Sequence, residues 1–114
     1  MPSVGPDQQA ARDEAKKRQA QAARDEIDEL LWLMSDPRGR RFMWRRLTDA
    51  GVYQSSFVPG DFSLTAFNEG RRNTGLRLIS LLTEHCPARF SEMQKEARTY
   101  ERRNNGSGGT AGGQ

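Results

Sequence analysis

The chain has one cysteine, Cys86, and one histidine, His85. A single cysteine excludes an intrachain disulfide and fits a reducing compartment. The lone histidine removes most metal and nucleophile chemistry. A zinc site needs three or four suitable ligands, and adjacent residues on a helix do not face each other as a nucleophile and its base must. His85 reads instead as a polar residue near a helix C-terminus, where positive charge is favoured. No enzymatic activity and no cofactor are expected. Long apolar runs are missing too. Nothing approaches the roughly 20 residues of a membrane span, and the N-terminus lacks the apolar region of a signal peptide. The expectation is a cytoplasmic protein with no membrane anchor.

What is present bounds the fold. A chain of 114 residues with 34% hydrophobic and 29% charged residues allows one small domain with a modest core. The formal net charge is only +3, so its distribution matters more than its total. Residues 37–47 hold five arginines and no acid, residues 88–103 hold five basic and three acidic residues, and residues 1–26 hold five of each.

Residues 1–6 should be loose. From about Asp7 to Glu26 the chain is Ala, Gln and charge, rich in helix formers and without a large apolar residue. Asp13 with Lys17 and Glu14 with Arg18 have favourable i,i+4 spacing. This predicts a helix with no buried face of its own, marginal unless it docks or continues into a packed segment. Ile27, Leu30, Leu31 and Met34 supply the continuation as an amphipathic stripe. Ser35-Asp36-Pro37 ends that helix and starts a second, with Asp36 as N-cap and Pro37 in the first position. The second helix runs to about Ala50, with Gly51 beyond it. Residues 51–62 form a loop unusually rich in aromatics, whose Tyr53, Phe57 and Phe62 are expected to fold back onto the helices. A third helix starts near Asp61 or Ser63 and runs to about Glu84, with Leu64, Phe67, Leu78, Leu81 and Leu82 on its apolar face. Cys86-Pro87 breaks it and opens a fourth, marked by Phe90, Met93, Ala97 and Tyr100. Residues 104–114 are Gly-rich and expected to be disordered.

The third helix carries two glycines and three arginines between Phe67 and Leu78. Each interior glycine costs about 1 kcal/mol against alanine, so close approach of another element is the expected return. Gly70, Thr74 and Gly75 form a small-residue patch, and Gly39 on the second helix can meet it. The favoured reading is packing within the chain; direct contact with a partner is the other. A phosphate-binding loop is rejected, because Leu76-Arg77 stands where Lys-Ser/Thr is required and no strand precedes it. Glu69 has either a buried arginine partner or a solvated surface pair. Arg38, Arg41 and Arg45 share one face of the second helix, and Arg71 and Arg72 lie on the third. These five are the candidate partner contacts, reaching an acidic protein surface or nucleic-acid phosphates. The plainer reading of the same residues is a solvated helix face.

Three segments together carry a resemblance: Ser35-Asp36-Pro37-Arg38-Gly39-Arg40-Arg41-Phe42-Met43-Trp44, the aromatic loop Gly51–Phe57, and Phe67–Leu78 with Glu69-Gly70-x-Arg72-x-x-Gly75-Leu76. With Pro87, Met93 and Glu96 they resemble a family of small proteins of short-tailed phages, named from a Bordetella phage, over about residues 27–100. The resemblance implies a phage-encoded protein with a role in the virion or its assembly, as a head, portal/tail or internal component. Its partners would be other phage structural proteins, and packaged DNA is a further possibility. It would reside in the host cytoplasm during assembly and then in the virion.

The expected architecture is all-α: a bundle of about four helices over residues 27–103, a polar helical extension over 1–26 and a disordered tail over 104–114. The extension acquires a buried face only by docking or by forming a homo-oligomer. The favoured function is a protein-interaction module of a phage virion or of its assembly. The alternative is a small nucleic-acid-binding protein that uses the second helix.

Overall fold

The computed structural model describes residues 5–112, with side chains through Asn105. The described residues form four helices and no strand: α1 (Pro6–Met34), α2 (Pro37–Asp49), α3 (Phe62–His85) and α4 (Pro87–Gly112).

Local chemistry sets the boundaries. Proline occupies the first position of α1, α2 and α4, where its missing N–H costs no helical hydrogen bond. Asp36 caps α2 by accepting the Arg38 N–H at 2.7 Å. Asp61 caps α3 by accepting the Leu64 N–H at 2.9 Å. Gly51, at φ 76°, turns the chain out of α2 in the left-handed region. Cys86 leaves the helical region at φ −149° and ends α3.

The core lies where α1 ends and the other three helices meet. Met34, Leu47, Leu82 and Met93, one from each helix, are fully buried. Leu30, Met43, Val52 and Cys86 complete the cluster. Burial raises the Cys86 thiol pKa, opposed by nearby Arg89, so the sulfur is a core atom.

The first part of α1 is different. From Pro6 to Glu26 every residue is exposed except half-buried Ala15, and the helix becomes part of the body only from Ile27 onward. The molecule is therefore long, 77 × 42 × 17 Å, with a radius of gyration of 20.6 Å against about 13 Å for a compact domain of this length.

Some expectations need correction. The expected Asp13–Lys17 and Glu14–Arg18 pairs are replaced by Glu14–Lys17 at 3.5 Å and a Gln9–Asp13 hydrogen bond at 3.0 Å. Exposed pairs of this kind differ by only tenths of a kcal/mol, so spacing alone does not select among them. Phe57 and Phe62 do not fold back: they are 63% and 85% exposed. Leu64 and Phe67 are exposed as well, so only the second half of the expected apolar face of α3 is buried. The reason is that the loop runs antiparallel along the first turns of α3. It is fixed there by polar bonds: Thr65 Oγ1 with the Val58 N–H at 2.9 Å, Asn68 Nδ2 to the Ser56 carbonyl at 3.3 Å, and Arg72 Nε to the Gln54 carbonyl at 3.2 Å. Helix α4 is described as far as Gly112. The expectations for residues 1–4 and 113–114 lie outside the described residues.

Candidate functional site

The charged centre of the body is Arg40, which is 4% exposed. Its Nε donates to Glu96 Oε1 at 2.5 Å and its Nη2 to Glu96 Oε2 at 3.3 Å. Glu92 Oε1 lies 3.4 Å from the same Nη2. Nη1 donates to the Met34 carbonyl at 2.8 Å. One guanidinium, from the first turn of α2, thus binds the end of α1 and two turns of α4. The hydrogen bond to Glu96, then the charges of Glu96 and Glu92, outweigh desolvation and hold Arg40 charged above its ordinary pKa. Gly39 makes the crossing possible, because a Cβ there would overlap the Leu33 carbonyl oxygen.

Arg40 was not among the five candidate contacts, although a signal was present. Arg40, Met43 and Leu47 are spaced i, i+3, i+7, so the arginine lies on the buried stripe of α2. The buried-pair role considered for Glu69 belongs instead to Glu96; Glu69 is exposed.

The five candidate arginines separate into different settings. Arg38 is exposed and lies 3.4 Å from Asp36, the cap of its own helix. Arg71 rests 5.7 Å from the Phe67 ring centre and donates to Asn68 at 3.3 Å. Arg72 holds the loop through the Gln54 carbonyl. Arg71 and Arg72 therefore serve the loop–α3 junction. The glycines also divide. At Gly75 a Cβ would collide with Val52 Cγ1 and come within 2.8 Å of Ala50 Cβ, so this glycine admits the end of α2. Gly70 has nothing within 4 Å, and Thr74 is exposed with its hydroxyl bonded to the Gly70 carbonyl at 3.3 Å. Gly70 and Thr74 are not a helix-packing pair. Gly39 meets α1, not α3.

Arg41 and Arg45 remain. Arg41 borders an open groove with Lys95, Glu96, Thr99, Tyr100 and Arg103, and Arg45 lines the enclosed cleft that adjoins it through Arg41, Glu96 and Tyr100. The Tyr100 phenol is pushed below its ordinary value by a hydrogen bond with Asn104, then by Arg45 and Arg41. Beside it, Trp44 stacks at 5.1 Å on Tyr53 and donates its indole N–H to Glu101 at 3.2 Å.

A second surface is apolar. Phe57, Phe62, Leu64 and Phe67, on the loop and the first turns of α3, are 63%, 85%, 43% and 65% exposed. The sequence expectation had turned these side chains inward.

Among the described residues, no helix is long and apolar enough to cross a membrane. No curated protein and no solved structure matches the chain. A family model for Bbp19-like phage proteins matches residues 30–95. That span holds the core of the bundle, Arg40 with Glu92, the aromatic loop and all of α3, and it covers more than half of the sequence. The chain belongs to the family of Bbp19-like phage proteins.

Proposed function

We propose that this phage protein is a component of the virion or of its assembly, working as a protein-interaction module. The observation that carries the reading is the apolar surface formed by the loop and the start of α3. Large exposed aromatics held on an ordered element mark contact sites, because their burial against a partner is favourable and their exposure is not. All four side chains lie within the family-matched span. The partner is another phage structural protein in the head, the portal/tail region or the particle interior. The exposed part of α1 is a second docking element, because a helix polar on every side gains tertiary support only from a partner or a second copy. In this reading the chain carries no catalysis, and it moves from the host cytoplasm into the particle.

The test is quantitative. Purified particles should contain the chain at a fixed copy number. The variant Phe57→Ser/Phe62→Ser/Phe67→Ser should keep the circular dichroism of the parent yet fall at least tenfold in particles. Wild-type chain found only in infected-cell lysate and absent from particles would remove the virion-component reading and point to a transient assembly factor or a free nucleic-acid-binding regulator. Undiminished incorporation of the triple variant would remove the aromatic surface from the proposal.

A further inference from the structure

Most basic side chains elsewhere on the body have partners, but among the described residues Arg98 and Arg102 of α4 also have no carboxylate within 4.0 Å. Arg38 is paired with Asp36, Arg46 with Asp49, Arg77 with Glu26 and Arg89 with Glu92. Arg71 and Arg72 are held by Asn68 and the Gln54 carbonyl. The groove between α2 and α4 gathers several basic side chains on one surface. Among the described residues, none of Arg41, Arg45, Lys95 and Arg103 has a carboxylate within 4.0 Å. The acids nearby are engaged: Glu96 and Glu92 by Arg40, and Glu101 by the Trp44 indole.

We infer that this groove binds the sugar–phosphate backbone of a nucleic acid through Arg41, Arg45, Lys95 and Arg103, with the hydroxyls of Tyr100 and Thr99 as additional donors. Arg41 and Arg45 are one turn apart, about 6 Å along α2, and Lys95 and Arg103 are about 12 Å apart along α4. Arg41, Lys95 and Arg103 border one open space, and Arg45 lies at the cleft that adjoins it. Arginine, lysine, tyrosine and threonine are the side chains that phosphate oxygens accept hydrogen bonds from. The lowered Tyr100 pKa reports the positive potential there, after the Asn104 hydrogen bond. The shape favours a phosphate backbone over an acidic peptide. The open part of the groove has a volume of about 400 Å³, whereas the enclosed cleft between Trp44, Met93 and Tyr100 has about 30 Å³, room for water and not for an anchoring side chain. Arg41, Arg45 and Lys95 lie inside the family-matched span, and Tyr100 and Arg103 lie beyond it. The inference is separate from the aromatic surface, so particle incorporation and nucleic-acid binding can fail independently.

Fluorescence anisotropy with the full chain and a mixed-sequence 20-base-pair DNA, alongside a 20-nucleotide single strand, tests it over a salt series. Four phosphate contacts predict a slope of log K against log salt near −3.6 for the duplex, a loss of roughly 150-fold between 50 and 200 mM salt. The single strand should give a shallower slope, near about −2.8. The variant Arg41→Ala/Arg45→Ala/Lys95→Ala/Arg103→Ala should lose binding to both at 50 mM salt while keeping its circular dichroism. The charge-matched variant Arg12→Ala/Lys16→Ala/Lys17→Ala/Arg18→Ala on α1 should bind as the parent does. No binding by the wild-type chain at 50 mM salt, equal loss in both variants, or preferential displacement of DNA by a poly-glutamate peptide would each overturn the inference.

Discussion

The exposed arm of α1 and the body it grows from are both helical, and they are helical for different reasons. From Pro6 to Glu26 the helix is held by its own backbone and by exposed local pairs such as Lys17 with Glu14 and Gln21 with Asp25. Each such pair contributes a few tenths of a kcal/mol. The body is held by contacts between residues far apart in the chain. Arg40 and Glu96 are separated by 56 positions, and each helix contributes one fully buried side chain to the core. Helix propensity alone forms an arm; shape and paired charge form a body. The two regions should therefore respond unequally to change, the body strongly and the arm weakly.

The largest expected effect is at the buried ion pair. Glu96→Ala leaves the Arg40 guanidinium buried with only Glu92 and the Met34 carbonyl, and should cost about 3 kcal/mol, the low end for a broken buried pair. Arg40→Leu should cost less, because Glu96 is 35% exposed and can be hydrated when its partner is gone. Urea unfolding followed by tryptophan fluorescence checks both, and the reverse ranking would remove the asymmetry argued here. Gly75→Ala comes next. Its new methyl group meets Val52 and Ala50, and the overpacking should destabilise by about 1–3 kcal/mol. Gly70→Ala, five residues earlier on the same helix and open to solvent, should stabilise by up to about 1 kcal/mol. Thermal melts of the two variants should therefore shift in opposite directions.

Acid gives a graded loss in the body. Arg38 bonds hold Asp36 below its ordinary pKa of 3.8, and Arg89 followed by Arg40 holds Glu92 below 4.5. Folded-state pKa values below the unfolded ones mean that these contributions are complete above about pH 5. They shrink as pH falls through 4.5 and 3.8 and vanish below the lowered folded values. Unfolding midpoints at pH 7, 5, 4 and 3 should decline mainly over the last two steps. The smallest effect belongs to the arm: deleting residues 1–25 should change body stability by less than about 1 kcal/mol. A loss as large as that of Glu96→Ala would show that the arm is part of the body after all.

The helix boundaries were legible because their causes are local. Asp36-Pro37, Gly51, Asp61 and Cys86-Pro87 act within a few residues of where they stand. Which glycine needs its bareness was not legible. Gly70 and Gly75 differ only in the face they present, and that face is set by where Val52 and Ala50 arrive. The same limit applies to the arginines. Arg41 and Arg45 are candidates from α2 alone, but the groove beside them is completed by Lys95, Tyr100 and Arg103, about fifty residues on. The exposed Phe57 and Phe62 ran against the rule that aromatics turn inward, because the loop is fastened to α3 by hydrogen bonds and needs no apolar anchor.

The bond from Arg40 to the Met34 carbonyl has a mechanical consequence. It grips the last turn of a 29-residue helix about 44 Å long. The same guanidinium holds Glu96, whose helix forms one wall of the basic groove. The arm is thus a spar stepped into the body at one charged socket. Whatever takes hold of its Pro6 end is kept some 40 Å from that socket, and a sideways load on the spar bears on the groove wall through two hydrogen-bonded contacts.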